Sequence, residues 1–410
     1  MPQVLFMLFT SGAINYIYGM LGIGVLVIFV CQVTRARTLC FNALSCPTML
    51  ILIVFCTLYC AIGEHSIQGV LYYFVCPLFA FMAGWVTVET GKRHPEEIIR
   101  YTIFFILLGF TIHALLNYTE NIGRPRWQLT DYFTGRVASA TVCGCINTLA
   151  FSGLAYYVFL EKNTVRKLGG ITAGVISLLY AMLLGTRTQF LILAAVSAMF
   201  LVFYYMETYG WSGGIRLAAI LAVLVGVCFI LYSRNVFGIQ TYIGSSNLLE
   251  RFESGSDLDK ADSYRTSSIF RGFELMFEHP LGGLKSSLYY HNMWLDIGRV
   301  AGLLPFLWMV LYTVVVNAHM LRMFSEKAID PGFRYLLFCV YVGMQVNFLV
   351  EPVLEGLIHF FLEFTIINGM VEYYYYKVFL PYLRFKRAFG GADFIFCDST
   401  GAPLNPGINS

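Results

Sequence analysis

Charge is what this sequence has least of: 12% of its 410 residues are Asp, Glu, Lys or Arg, against 58% hydrophobic and 17% aromatic. That balance excludes a soluble globular protein, in which about a quarter of residues are charged. The formal net charge of +3 is scattered over many loops, so nothing suggests a nucleic-acid surface. No basic residue precedes Arg35, so the N-terminus lacks the charged region of a cleavable signal peptide and is expected to join the first span. The 11 cysteines sit almost wholly in apolar windows and the long segment 234–297 has none, which argues against a disulfide framework. "CGC" at Cys143 and Cys145 falls in an apparent helix, where the two thiols face different ways and make a poor metal pair. A Gly-rich phosphate loop, an internal repeat and a low-complexity tract are all missing.

What is present is a succession of apolar windows, each near the roughly 17–25 residues that cross a bilayer as helix. Eleven are legible, near 14–33, 48–63, 67–88, 101–117, 138–160, 169–185, 189–205, 217–233, 298–321, 335–350 and 357–376. A barrel would instead show segments of about ten residues with alternating polarity. The expected fold class is therefore an all-α polytopic membrane protein of about 11 transmembrane helices. Residues 1–388 form the bundle, 234–297 one long outer loop, and 389–410 a cytoplasmic tail.

Lysine and arginine mark the cytoplasmic side of a membrane protein. The loops holding "TRART", "GKRHPEEIIR", "EKNTVRK", "METYGWSGGIR", "RMFSEKAIDPGFR" and "KVFLPYLRFKR" carry sixteen basic residues, and the short loops between them four. This predicts an outer N-terminus and an inner C-terminus, with 234–297 outside. Arg136, Arg187, Arg265, Arg271, His291, Glu351 and Glu355 then gather at or near the outer surface. Ionisable residues at membrane depth are costly and usually face a cavity or pathway.

Arg187 stands in "LLYAMLLGTRTQFLILAAV", between two spans joined by almost no loop. It reads either as a snorkelling anchor or as a fixed guanidinium, whose planar fork suits bidentate phosphate recognition. Within the outer loop, "DSYRTSSIFRGFELMFEHPLGG" puts Ile269, Phe273, Met276 and Phe277 on one helical stripe and ends it at Pro280-Leu281-Gly282-Gly283. This predicts an amphipathic interfacial helix. Asp257 and Asp259 in "DLD" read as a solvated turn, with a cation site as the competing reading. In "LYYHNMWLDIGRVAG", His291 offers an imidazole at the start of a span, flanked by Tyr289, Tyr290 and Trp294. Those aromatics read as an interfacial belt or as stacking surfaces for sugar rings. Glu351 and Glu355 in "EPVLEG" pair with an arginine or are hydrated.

Taken together, the segment 265–302, with Arg265, the Pro of "HPLGG" fifteen residues on, and then "HNMWLDIGRVAG", resembles the signature of the O-antigen ligase and O-antigen polymerase superfamily. "GRVASATVCGCINTLAF", with Arg136 and Asn147, resembles that family's Arg and Asn stretch, although the usual Pro-Asn is Ile-Asn here, and "GTRTQ" resembles its Ser-Arg or Thr-Arg turn. The likeness covers roughly 136–305; residues 1–130 and the last 50 carry none of its motifs.

The resemblance implies a GT-C-like membrane glycosyltransferase that moves a glycan from undecaprenyl diphosphate to an acceptor hydroxyl without metal or other cofactor. Guanidinium groups would stabilise the leaving diphosphate: Arg187 and Arg265, with Arg136 as a further donor. His291 would be the general base. Asn292 would orient the ring or helix end, Asp296 would support either, and Tyr290 and Trp294 would contact sugar. The implied partners are an undecaprenyl-diphosphate-linked oligosaccharide, an acceptor glycan or lipid A core, and membrane lipids. The implied location is the outer face of a bacterial inner membrane. Polymerase, slightly favoured, and ligase differ mainly in the acceptor. A lipid-linked oligosaccharide flippase or other transporter is the reading of a different class, but it would spread polar residues along a path through the membrane.

Overall fold

The computed structural model of the protein describes residues 2–14, 19–26, 29, 39–63, 66–91, 93–138, 140–236, 269–284 and 289–388. Among these, all regular structure is helical, and the β pairing is limited to an isolated bridge, Thr130 with Val137. Six helices are long and apolar enough to cross a membrane: Ile67–Glu89, Pro95–Asn121, Thr164–Leu184, Arg187–Leu224, Leu303–Ser325 and Pro331–Val350. Pro47–Ile62 and Cys145–Phe159 are shorter apolar helices, and Ile358–Tyr374 is a 17-residue helix buried along almost its whole length. A multi-pass membrane protein follows from these helices.

Sequence windows and helices differ in three places. The windows 189–205 and 217–233 belong to one helical run, Arg187–Ser233, interrupted at Gly210 (φ 60°, ψ −148°). Only glycine takes that conformation without strain. The 138–160 window breaks into Ala140–Gly144, a 3-10 turn Cys145–Asn147, and Thr148–Phe159. The 298–321 window starts inside the helix Met293–Ala301, stops at Gly302 (φ 85°) and resumes at Leu303. The 14–33 window lies partly outside the described residues.

Local chemistry sets the helix ends. Asn163 and Asp330 accept hydrogen bonds from the Arg166 and Phe333 amides, and Pro331 occupies the first turn of its helix. Left-handed Gly185 (φ 67°) closes Thr164–Leu184 and begins the turn to Arg187. In the core, Ile358–Tyr374 lies against Cys76–Glu89. A Cβ added at Gly84 or Gly369 would run into the Ile366 or Phe81 carbonyl of the opposite helix. Close backbone approach through small residues is how helices associate where lipid removes the hydrophobic drive.

The two ends of the bundle carry different groups. At one end stand the ion pairs Arg166 with Glu97 (3.1 Å), Arg334 with Glu207 (2.7 Å), Lys386 with Glu326 (3.1 Å) and Arg100 with Asp330. At the other, the Gly185–Thr186 turn, the segment Glu351–Leu357, the 122–138 loop and the start of the Met293–Ala301 helix come together.

Candidate functional site

The segment before His291 is fastened to the helix that follows it. Residues 269–278 are helical, and Met276, buried, packs with Tyr290 and Leu295, with Ile269, Leu275 and Phe306 around them. Phe270 and Phe277 on the helix and Leu281 in the turn after it stay more than two-thirds exposed, at 68%, 71% and 74%, whereas Met276 and Ile269 of the predicted stripe pack inward. The turn 279–284 is bonded backbone to backbone: Gly283 N donates to Val300 O (3.0 Å), Leu284 N to Arg299 O (3.1 Å) and Leu303 N to Pro280 O (2.9 Å). Gly282 (φ 72°) and Gly302 (φ 85°) make this crossing possible, because a Cβ on either would strike the opposing backbone.

His291 itself holds a left-handed backbone (φ 54°), one of two non-glycine residues with positive φ among those described. Such a conformation costs of order 1 kcal/mol and persists only where the surroundings impose it. Here Asp296 imposes it. Its carboxylate accepts from the amide of Tyr290 (3.0 Å) and from that of Asn292 (3.4 Å), gripping the chain on both sides of His291. Arg299 in turn holds Asp296 (Nε to Oδ1, 3.2 Å) and donates to Leu284 O (2.9 Å). Asn292 caps the next helix by accepting from the Leu295 amide (3.1 Å) and ties it to Pro331–Val350 through Leu349 O (3.2 Å). Asn292 and Asp296 thus fix the turn that presents the imidazole.

Across from the ring stands Glu351. His291 Nδ1 lies 3.7 Å from Glu351 Oε2, with the carboxylate buried and the imidazole one-third exposed. The other carboxylate oxygen, Oε1, accepts from Thr188 Oγ1 (3.3 Å), and the Glu351 amide bonds Asn347 O (2.9 Å). Beneath it lies a buried polar network. Asn347 Oδ1 accepts from Gln189 Nε2 (3.4 Å), Asn347 Nδ2 donates to Thr148 Oγ1, and that hydroxyl donates to Gln189 Oε1 (3.3 Å). One carboxylate therefore connects His291 to the residue next to Arg187.

Arg187 is half-buried at the first position of its helix and forms no ion pair among the described residues. Arg136 is exposed on the 122–138 loop, where Asp131 N bonds its carbonyl (2.8 Å). Ala138 packs with Tyr180 and Leu184, at the end of the helix that leads into the Arg187 turn. Arg136, Arg187 and His291 therefore share one end of the bundle. Arg265, like Asp257 and Asp259, lies outside the described residues. Tyr290 is turned inward and buried against Met276. Trp294 donates to Thr313 Oγ1 (3.2 Å) and lines an apolar groove with Phe306, Val310 and Leu349. Those two aromatics build the scaffold behind His291, and Tyr289, nearly half exposed, stacks under Arg299. Glu355 receives the Tyr59 hydroxyl, and burial pushes its carboxyl up to about 7. Among the described residues no group of three or more His, Cys, Asp or Glu side chains assembles as a metal-ligand set.

Reading the sequence alone did not single out Thr188, Gln189, Thr148 or Asn347. The first two stand directly after Arg187 in "GTRTQ", which was a usable signal; Thr148 and Asn347 are polar single residues inside apolar runs and carry no local mark. Comparison with protein-family models and with curated proteins returned no match.

Proposed function

We propose that the chain is a membrane glycosyltransferase of surface-polysaccharide assembly, of the O-antigen polymerase and ligase kind, with eleven spans. It would act on the outer face of a bacterial inner membrane, its N-terminus outside and its tail inside. The observation that carries this reading is the His291–Glu351–Thr188 chain, which links an imidazole through one buried carboxylate to the residue next to Arg187, an arginine without a carboxylate partner among the described residues.

The chemistry follows from those groups. The acceptor sugar hydroxyl gives its proton to His291 Nε2, since Nδ1 faces Glu351. The oxygen then bonds the anomeric carbon of the donor sugar as the bond from that carbon to the diphosphate oxygen breaks. The undecaprenyl diphosphate leaves with the electron pair, and Arg187, Arg265 and Arg136 take up its negative charge by bidentate hydrogen bonds. Glu351 stabilises the imidazolium while it exists, as a buried carboxylate does beside a catalytic histidine. The proton departs to water afterwards.

The deciding experiment incubates purified protein in EDTA with lipid-linked repeat, with and without lipid A core. Elongated lipid-linked glycan is expected, and transfer to core instead would assign the ligase reaction. Movement of intact donor across vesicles with no new glycosidic bond would overturn the enzyme in favour of a transporter.

A further inference from the structure

The opposite end of the bundle holds a second site. A cavity of 490 Å³ opens between the end of the Leu303–Ser325 helix and the C-terminal helix Leu380–Ala388, lined by Arg322, Arg384, Arg387, Tyr375, Phe379 and Leu383 among others. Its floor is aromatic and rigid. Tyr375 and Phe379 are buried on a π-helical turn, Tyr375–Phe379, which projects both rings to one side. The Tyr375 ring stacks on His319 at 3.8 Å and 14°. His319 Nδ1 lies 2.9 Å from Glu372 Oε2, and that carboxylate also receives Thr48 Oγ1 (2.7 Å).

This floor orients a guanidinium. Arg322 Nη1 donates to the Tyr375 hydroxyl (3.0 Å), and the rest of its donor fork is left for the cavity. Arg384 and Arg387 reach the cavity from the facing helix, and among the described residues none of the three arginines has a carboxylate partner. The one acidic residue on the wall, Glu326, is already held by Lys386 Nζ at 3.1 Å. At the same end Arg166 and Arg334 are matched to carboxylates, and Arg93 and Arg216 lie over tyrosine rings. Three unmatched forks over an aromatic floor form a receptor for a tetrahedral dianion or monoanion.

We propose that this cavity binds a phosphate group, presented by an anionic phospholipid headgroup. The apolar wall of Phe379, Leu380 and Leu383 suits the glycerol and first methylenes beside such a phosphate. Juxtamembrane basic residues attract anionic lipid at about 1 kcal/mol each; a cavity that places three of them around one phosphate turns that attraction into a specific site. The inference is independent of the glycosyltransferase reading.

The full-length protein in detergent is offered equal phosphatidylglycerol and phosphatidylcholine and inspected by native mass spectrometry. The wild type is expected to retain phosphatidylglycerol preferentially, and the combined Arg322→Gln, Arg384→Gln, Arg387→Gln variant to lose that preference by about tenfold or more. Arg384→Gln alone, on an exposed residue, gives a partial loss in a chain whose folding is not in question. A charge-matched control, Lys167→Gln, Arg216→Gln, Lys327→Gln, keeps the preference. A parallel thermal shift with inorganic phosphate separates the sources: a shift present in wild type, absent in the triple arginine variant and unaccompanied by lipid retention supports the site with a soluble phosphate ester as its ligand. Equal lipid preference in wild type and triple arginine variant with no phosphate effect, or equal loss in the control, overturns the site.

Discussion

Nδ1 of His291 faces Oε2 of Glu351 at 3.7 Å, and the two residues come from segments sixty positions apart in the chain. If they act as a unit, their effects on transfer overlap. Glu351→Gln is expected to lower glycan transfer by roughly 10- to 10²-fold, and adding His291→Gln to it should cost much less than the product of the single losses. Multiplicative losses in single-turnover transfer assays would separate them.

The left-handed backbone of His291 (φ 54°) supplies a distinction between base and scaffold. Glycine adopts this φ freely and β-branched residues resist it. His291→Gly is expected to melt no lower than wild type, and His291→Val to melt lower by about 1–2 kcal/mol of stability. Both, like His291→Gln, should lose transfer by roughly 10²- to 10⁴-fold while still binding lipid-linked donor. Full transfer by the glutamine variant would leave His291 as scaffold alone.

Arg187, without an ion pair among the described residues, stands beside Thr188, whose hydroxyl is spent on Glu351. Lysine keeps the charge and loses the bidentate fork. Arg187→Lys and Arg265→Lys are therefore expected to remain strongly impaired in transfer, with donor binding weakened as well. Near wild-type rates in both would mean that generic attraction suffices.

Two carboxyl groups at this end of the bundle make stability depend on pH in opposite senses. Burial raises Glu355 from 4.5 to about 7, so its folded form keeps a proton that the unfolded chain releases. The stability it contributes is present below about 4.5 and is lost as pH rises through about 7. For Asp131, burial acts upward, but hydrogen bonds from His113 and Thr134 outweigh it and hold the carboxyl at about 2. Its contribution is present above 3.8 and is lost as pH falls toward 2. Melting curves for Glu355→Gln should lose the neutral-side decline, and those for Asp131→Asn the acid-side decline; unchanged curves would refute the assignment.

Orientation is open to reporter fusions. Fusions after residues 36, 95, 165, 210, 328 and 388 are expected to report the cytoplasm, and those near 125 and 255 the exterior. The reverse pattern would place the phosphate cavity outside and the His291 site inside.

Helices were legible in the sequence because apolar composition and length are local properties: the runs at 101–117, 169–185 and 335–350 each became one long helix. The position of Arg187 at a span end was legible for the same reason, since Gly185 marks that end; His291 was expected at one too, but it precedes the nine-residue helix Met293–Ala301, which Gly302 separates from the span Leu303–Ser325. Spacing along the chain could not decide where a helix bends. Gly210 kinks a continuous run where a loop was expected, and Gly302 breaks an apolar run where none was, because φ at a glycine depends on what its neighbours press against.

Only the tertiary structure chose among the partners of a charge. The sequence left Glu351 between an arginine and water; packing of the Pro331–Val350 helix beside the Arg187 turn turned its buried carboxylate toward His291 and Thr188 instead. It likewise packed Tyr290 and Trp294, read in the sequence as an interfacial belt or as sugar-stacking surfaces, against Met276 and Thr313. Side chains of one type are alike in sequence, and what differs is which surfaces the long-range contacts leave them. Composition and periodicity determined that this chain forms a helical membrane bundle, and the three-dimensional meeting of distant segments decided which of its few polar groups stand together.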